Sequence, residues 1–220
     1  LTLFDLDCTL IPTDSDHAFG DFMVRVGWAD AGEFKRRNDA FFAQYQAGSL
    51  DVAAYIDFAT SVWRARDEAE ALAMRERFVR EEMAPLLREP ALSLVRRHQA
   101  AGDLVAIVTA TNEFVTRPLA DAFGVPALIA VELVRDAQGR VTGEIRGVPS
   151  FREGKIERVG HWLAQQGKGW DDFERITFYS DSTNDLPLLE RVSHPVATNP
   201  SPALEQIARE RGWPILRLFE

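Results

Sequence analysis

The chain begins LTLFDLDCTL, residues 1–10: an apolar run, Leu1, Leu3 and Phe4, that ends in two carboxylates one residue apart. Residues two apart on a strand point to the same side. A strand over residues 1–8 therefore aims Asp5 and Asp7 at one spot. Like charges that close repel unless a metal ion, a phosphate-binding lysine or a shared proton lies with them. Spaced aspartates also open calcium loops, but such a loop needs Gly at its sixth position and Glu at its twelfth. Counted from Asp5, this chain has Leu10 and Asp16, so the calcium reading fails.

Working outward, TDSD (13–16) is a cluster of N-cap residues. From there to about residue 88 apolar residues recur at helical spacing: Phe19, Phe22, Met23 and Val26, then Val52, Tyr55, Ile56, Ala59 and Trp63, then Leu72, Val79, Met83 and Leu86. The texture then changes. LVAIVTAT (104–111) is a continuous apolar run, as a strand buried on both faces requires. Further strands are expected at 126–133, 175–181 and 195–199, with a last strand or coil at 213–219, helices between them and a hairpin turning at Asp136–Gly139. Alternating strands and helices predict an α/β fold with a doubly wound, mainly parallel, Rossmann-like sheet. The all-helical stretch after the first strand predicts an inserted cap. The expected division is a core of 1–12 and 86–220 and a cap of 13–85. In such sheets ligands bind beyond the carboxyl ends of the strands. Asp5, Asp7, Thr109 and Asp181 all fall there.

The bulk numbers bound the partners. At 220 residues, with 46% apolar and 27% charged residues, the chain is an ordinary globule. Its net charge of −9 argues against nucleic acid and anionic membranes as partners. The single cysteine, Cys8, leaves no disulfide and no cysteine zinc site, and points to a reducing, cytoplasmic setting. No apolar run approaches the roughly 20 residues of a membrane span. The chain starts at Leu1, not Met, so its true N-terminus is expected upstream. The five tryptophans, and cap aromatics expected to be exposed, leave room for a homodimer without requiring one.

Taken singly, several residues have plain readings. Thr109 reads as a helix cap or strand-end hydroxyl, and Lys155 as a solvated lysine, although a cation is slightly misplaced in the first turn of a helix. YSDSTNDLPLLE (179–190), with Asp181 and Asp185 four apart, is harder to read as a mere turn. In order, the pieces are Asp5-x-Asp7-x-Thr9, a threonine after a buried strand, a lysine, and Asp181-x-x-x-Asp185. This order resembles the four motifs of the haloacid dehalogenase superfamily over residues 3 to about 200. The insert lies where one subfamily carries a helical cap, between motifs one and two. YSDSTNDLPLLE and the later ATNPSPALEQIARERGWPIL resemble the phosphoserine-phosphatase-like branch. One departure is Cys8, where many relatives have Gly or Ser; it is read as packing.

The resemblance implies a Mg²⁺-dependent phosphatase acting on small phosphomonoesters through an aspartyl-phosphate. Asp5 would be the nucleophile and Asp7 the general acid and base. Asp5, the backbone carbonyl of Asp7, and Asp181 would hold the metal. Thr109 and Lys155 would hold phosphoryl oxygens, with Asn184 near them, and Asp185 would orient Lys155 or a metal-bound water. Asp14, nine residues after Asp5, sits where phosphoserine phosphatases place an acid for the substrate amine. Its other reading is the N-cap of TDSD. An amine-bearing substrate such as phosphoserine or histidinol phosphate follows if the first is right. His17 is the histidine expected nearest the site, and Arg36, Arg37 and Arg64 are candidates to meet a carboxylate. A phosphotransferase or mutase using the same aspartyl-phosphate, and an inactive phosphate-binding domain, are the competing readings.

Overall fold

The computed structural model describes residues 1–219. Strand β1 (Thr2–Phe4) is followed by four helices, α1 (Ser15–Arg25), α2 (Glu33–Gln46), α3 (Val52–Arg64) and α4 (Glu68–Phe78). A π-helical turn at Val79–Met83 and a 3-10 turn at Ala84–Leu86 lead into α5 (Glu89–Ala100). The chain then alternates: β2 (Val105–Asn112), α6 (Glu113–Ala122), β3 (Leu128–Val131), the hairpin β4 (Leu133–Arg135) and β5 (Val141–Ile145), then α7 (Glu153–Gln165). It closes with β6 (Thr177–Ser180), α8 (Leu186–Arg191), β7 (His194–Thr198), α9 (Pro202–Arg211) and β8 (Ile215–Leu216). The helix starts are the ones that the side chains specify. Asp14, Asp51, Asp67, Asn112 and Ser201 each accept a backbone N–H at the head of α1, α3, α4, α6 and α9.

Six strands form one parallel sheet in the order β3-β2-β1-β6-β7-β8. The sequence runs outward from β1 to β3 and then restarts on the other side at β6. The centre of the sheet is thus the switch point at which α/β sheets bind ligands. The central strands are apolar throughout because both faces are covered. Leu3, Ala106, Val108 and Phe178 pack against α7, α8 and α9, while Phe4, Val105 and Ile107 pack with residues of α5, α6 and the helical insertion.

Three expectations need correction. The strand expected over 1–8 ends at Phe4, although the Asp5 N–H still donates to the Tyr179 carbonyl (2.9 Å). Cys8 then turns the chain with φ 56°, a left-handed conformation that suits glycine and strains a residue with a Cβ. The apolar stretch 126–133 is split: Leu128–Val131 joins the sheet, and Leu133 begins the hairpin that turns at Asp136–Arg140. The aromatics expected to be exposed are not. Among the described residues no large apolar side chain is exposed: the rings pack on one another in the core, and arginines lie over three of them, Arg25 on Phe22, Arg37 on Phe58 and Arg66 on Trp28.

Candidate active site

Four backbone segments meet at the carboxyl edge of β1, β2 and β6. Asp5 follows β1, Thr109 and Thr111 lie in the last turns of β2, Asp181 follows β6, and Lys155 is the third residue of α7. The Lys155 side chain is 1% exposed, and its Nζ donates to Asp5 Oδ1 (2.9 Å) and to Asp185 Oδ2 (2.8 Å). The first-turn lysine is therefore a buried ion-pair partner and not a solvated one. Ser180 Oγ donates to the same Asp185 oxygen (2.7 Å), which fixes that carboxylate beneath the lysine. Thr9 Oγ1 lies between Asp5 Oδ2 (3.0 Å) and Asp181 Oδ1 (3.2 Å) and accepts the Asp181 N–H (3.1 Å). Asn199 braces the turn below by donating to the carbonyls of Cys8 and Thr9.

Asp5 and Asp7 do not share one partner. Asp7 Oδ1 accepts the Ser15 N–H (2.8 Å), and its Oδ2 accepts from Thr111 Oγ1 (2.8 Å), with Thr109 Oγ1 at 3.5 Å. Thr109 reaches the site as predicted, but Thr111, which sequence reasoning passed over, makes the shorter contact. Its signal was present: two threonines two apart at a strand end face the same way. Ser180 and the Ser15 N–H were likewise missed.

Electrostatics follow from burial. Burial pushes the Asp5 carboxyl up from the usual carboxylate range, while the ammonium beside it pulls it back. Burial lowers the Lys155 ammonium, but Asp185 and Asp5 more than offset that, so the lysine is held above its ordinary value and stays charged. Burial, with the charge of Asp14, raises Asp7 to about 6, against the hydrogen bonds from Ser15 and Thr111. Asp181 is raised by burial and by the charges of Asp5 and Asp185. Burial raises the Cys8 thiol above its ordinary value, which suits packing better than nucleophilic chemistry. Asp5, Asp7, Asp14, Asp181 and Asp185 thus outnumber the single ammonium of Lys155, which touches two of them, Asp5 and Asp185. An all-oxygen, strongly negative donor set suits a hard divalent cation such as Mg²⁺.

Asp14 caps α1 through the His17 N–H (2.8 Å) and also lines the pocket over Asp5 and Asp7. Asn184 has a different partner from the one expected: its Nδ2 donates to the Tyr45 carbonyl at the end of α2 (2.9 Å). Arg152, with φ 50°, donates to the neighbouring Gly48 carbonyl. His17 turns to Asp39 (2.9 Å) and stacks on Phe42. His17, Asp21 and Asp39 could together hold a metal, but the Lys35 ammonium already lies against both carboxylates at 3.2 and 2.6 Å. Arg37 lies on Phe58 and Arg64 pairs with Asp57, and neither these nor Arg36 lines the pocket. The pocket wall is aromatic instead: Phe41, Phe42, Tyr45, Tyr55 and Phe151.

The family model described as haloacid dehalogenase-like hydrolase matches residues 2–190. The chain belongs to that family. It is 41% identical over 216 residues to a histidinol-phosphatase of Neisseria meningitidis, covering 98% of this chain and 97% of that protein. Its fold matches the crystal structure of a protein of unknown function from Bordetella pertussis with a TM-score of 0.94 and 50% identity, over 100% of this chain and 98% of the other. A substrate-bound phosphoserine phosphatase structure shares the fold at a TM-score of 0.69 and 15% identity, over 98% and 91% of the two chains. The chain is thus a phosphatase of the haloacid dehalogenase-like family, with the α/β fold of the phosphoserine phosphatase structures. No described helix is long and apolar enough to cross a membrane.

Proposed function

We propose that the chain is a Mg²⁺-dependent phosphomonoester hydrolase working through an aspartyl-phosphate on Asp5, with histidinol phosphate favoured over phosphoserine as substrate. The pocket wall carries this choice. Over Asp5 and Asp7 stand five aromatic rings and the Asp14 carboxylate, with no lysine or arginine among the lining residues. Phosphoserine brings a carboxylate that would meet no cation there. Histidinol phosphate brings a flat ring and an ammonium, and no carboxylate. The 41% identity to a histidinol-phosphatase supports the same substrate.

Asp5 attacks phosphorus, and its carboxylate oxygen forms the bond that the ester oxygen gives up. Asp7, raised to about 6, delivers a proton to that leaving oxygen and later takes one from the hydrolytic water. Lys155 offsets the charge of Asp5 and of the phosphoryl oxygens, and Asp185 with Ser180 keeps its ammonium in place. Thr109 and Thr111 position Asp7 and offer hydroxyls to the phosphoryl group. Asp5, Asp181 and the backbone carbonyl of Asp7 would hold Mg²⁺. The Asp7 carboxylate, spent on Ser15 and Thr111, stays free of the ion for proton transfer. Bound there, the ion neutralises charge between nucleophile and phosphate.

We also propose that residues 13–85 act as a cap on a core of 1–12 and 86–220. The pocket holds about 30 Å³ of open space, room for a water or two, so the helices must shift to admit a metabolite. A wider hollow of about 390 Å³ shares Asp7, Asp14, Phe42 and Tyr45 with it and reaches Asp181, which makes it the expected way in.

The test is phosphate release from histidinol phosphate, phosphoserine, sugar phosphates and nucleotides, with and without Mg²⁺, by the native chain and Asp5→Asn. We expect metal-dependent release favouring histidinol phosphate and a loss of about 10⁴-fold or more in the variant. Near-normal rates in Asp5→Asn would sink the nucleophile assignment. Conversion of a sugar phosphate to an isomer without phosphate release would favour a mutase. Preference for phosphoserine would refute the reading of the wall.

A further inference from the structure

A second hollow, of about 480 Å³, lies between α3 and α4, the start of α6 and the β4–β5 hairpin. It shares no lining residue with the pocket over Asp5. Its floor is apolar: Trp63 and Phe114 stack with ring centroids 4.0 Å apart and planes at 9°, with Leu72 and Val141 beside them. Six arginines line it, in a chain whose net charge is −9. Four of them are paired: Arg64 with Asp57, Arg117 with Asp121, Arg135 with Glu68 and Arg140 with Asp136. Arg66 and Arg75 have no carboxylate partner among the described residues. Arg66 lies on the Trp28 ring. The Arg75 guanidinium lies over Phe114, 5.0 Å from its centroid, and gives Nη1 to the Phe114 carbonyl (3.3 Å). Its Nε is buried with no acceptor. The remaining acids there are engaged otherwise: Asp67 caps α4, and Glu113 sits in the first turn of α6, where the helix end favours a negative charge.

Arg66 and Arg75 are thus two cations beside apolar surface with no ion-pair partner among the described residues, the pairing that an anion would supply. We propose that this hollow binds a small aromatic oxyanion, with its charged group on Arg66 and Arg75 and its ring against Leu72 and Val141. The volume is in the range of small-molecule sites. Guanidinium groups combined with apolar surface select planar anions, because the oxyanion takes charge-assisted hydrogen bonds while the ring is buried. An inorganic phosphate would leave the apolar floor uncovered, so a ring-bearing anion is the better fit. The substrate proposed above, a cation beyond its phosphate, is the wrong chemistry for this hollow.

Anilinonaphthalene sulfonate is a suitable probe, because it is aromatic, anionic and not a phosphate ester. Fluorescence titration of the native chain is expected to show one site. Saturating the active centre with inorganic phosphate and Mg²⁺ should not displace the probe. Arg66→Gln with Arg75→Met should weaken it by about tenfold or more, the scale of one lost charge-assisted bond, while the phosphatase rate is kept. If the double variant does not fold, judged by its thermal unfolding midpoint, Arg66→Gln alone, at an exposed position, gives the reading with a smaller loss. Unchanged affinity in the folded variants, displacement by phosphate, or no binding by the native chain would each overturn the proposal.

Discussion

The strand-end centre and the helical wall that faces it are built in opposite ways. In the centre, charged side chains are buried and hold one another: Lys155 between Asp5 and Asp185, Thr9 between Asp5 and Asp181, Asp7 between Ser15 and Thr111. In the wall, rings do the packing: Phe41 against Phe58 and Tyr55, Phe34 against Phe58, Phe19 and Phe22 against Phe78. Near the pocket, side chains of the core reach the wall at the carbonyls of Tyr45 and Gly48, through Asn184 and Arg152. A polar network fixes positions sharply, because each group has few satisfactory partners. Apolar packing tolerates sliding and repacking. On the function proposed above, the sheet carries the reaction chemistry and the helices the substrate choice.

The contrast breaks most visibly at Lys155. Lys155→Met keeps the length of the side chain and removes the charge, leaving Asp5 and Asp185 facing each other in a buried site. Losing one partner of a buried pair costs about 3–5 kcal/mol, and phosphatase activity should fall by at least the 10²-fold typical of a lost charge stabiliser. Denaturant unfolding and steady-state rates check both. A substitution in the wall of similar size, Phe41→Leu, should leave kcat within a few-fold and move KM instead. If Lys155→Met left both stability and kcat near native values, the centre would not be the rigid network described here.

How much of this was legible beforehand divides along the same line. The sheet was readable because its strands are covered on both faces, which leaves an unbroken apolar run such as LVAIV at 104–108. The sheet then brings Asp5, Thr109 and Asp181 to one edge, whatever their separation in sequence. Taken singly Lys155 read as solvated, because sequence says nothing of which face of α7 the sheet covers, and only its place in the order of motifs gave it a role in the site. Ser180 was missed for a related reason: small hydroxyl residues at strand ends are common, and only the fold turns this one toward Asp185, whereas Thr111 could have been found from its spacing to Thr109. The role of Cys8 as a left-handed turn was not visible either, since that conformation is usually announced by glycine. The wall was least legible. Periodicity gave its helices, but not that FFAQY (41–45) turns toward the pocket while Arg37 and Arg64 turn elsewhere.

At the joint between the two regions stands Asp14, which caps α1 and lines the pocket. Asn caps a helix as well as Asp does, so Asp14→Asn separates the roles. The thermal midpoint should hold to within a degree or two. KM for histidinol phosphate should rise about tenfold, the cost of one charge pair or charged hydrogen bond, with little change for a phosphate ester without an amine. No rise for either substrate would leave Asp14 as a cap alone.

The smallest effect concerns Asp16, one helical turn behind the pocket wall, where the two building principles conflict. Its carboxyl is 5% exposed and is met by Asn112 Nδ2 at 3.2 and 3.3 Å. Burial raises it from 3.8 to about 7, against the hydrogen bonds of Tyr55 and Asn112. An acid raised in the folded state binds more protons there than in the unfolded chain. Its ionisation therefore costs stability as pH rises from about 4 to about 7, and the cost is complete above that. Asp16→Asn keeps an acceptor for Asn112 and has no charge to bury. The variant should gain on the order of 2 kcal/mol over the native chain at pH 8, less than the full shift implies because relaxation discounts it, and almost nothing at pH 4. Urea unfolding at the two pH values reads the difference directly. A gain of equal size at both would mean that packing, not charge, separates the variant from the native chain. A loss at pH 8 would mean that the Tyr55 and Asn112 hydrogen bonds outweigh burial, and that the helical wall holds a charge as securely as the strand ends do.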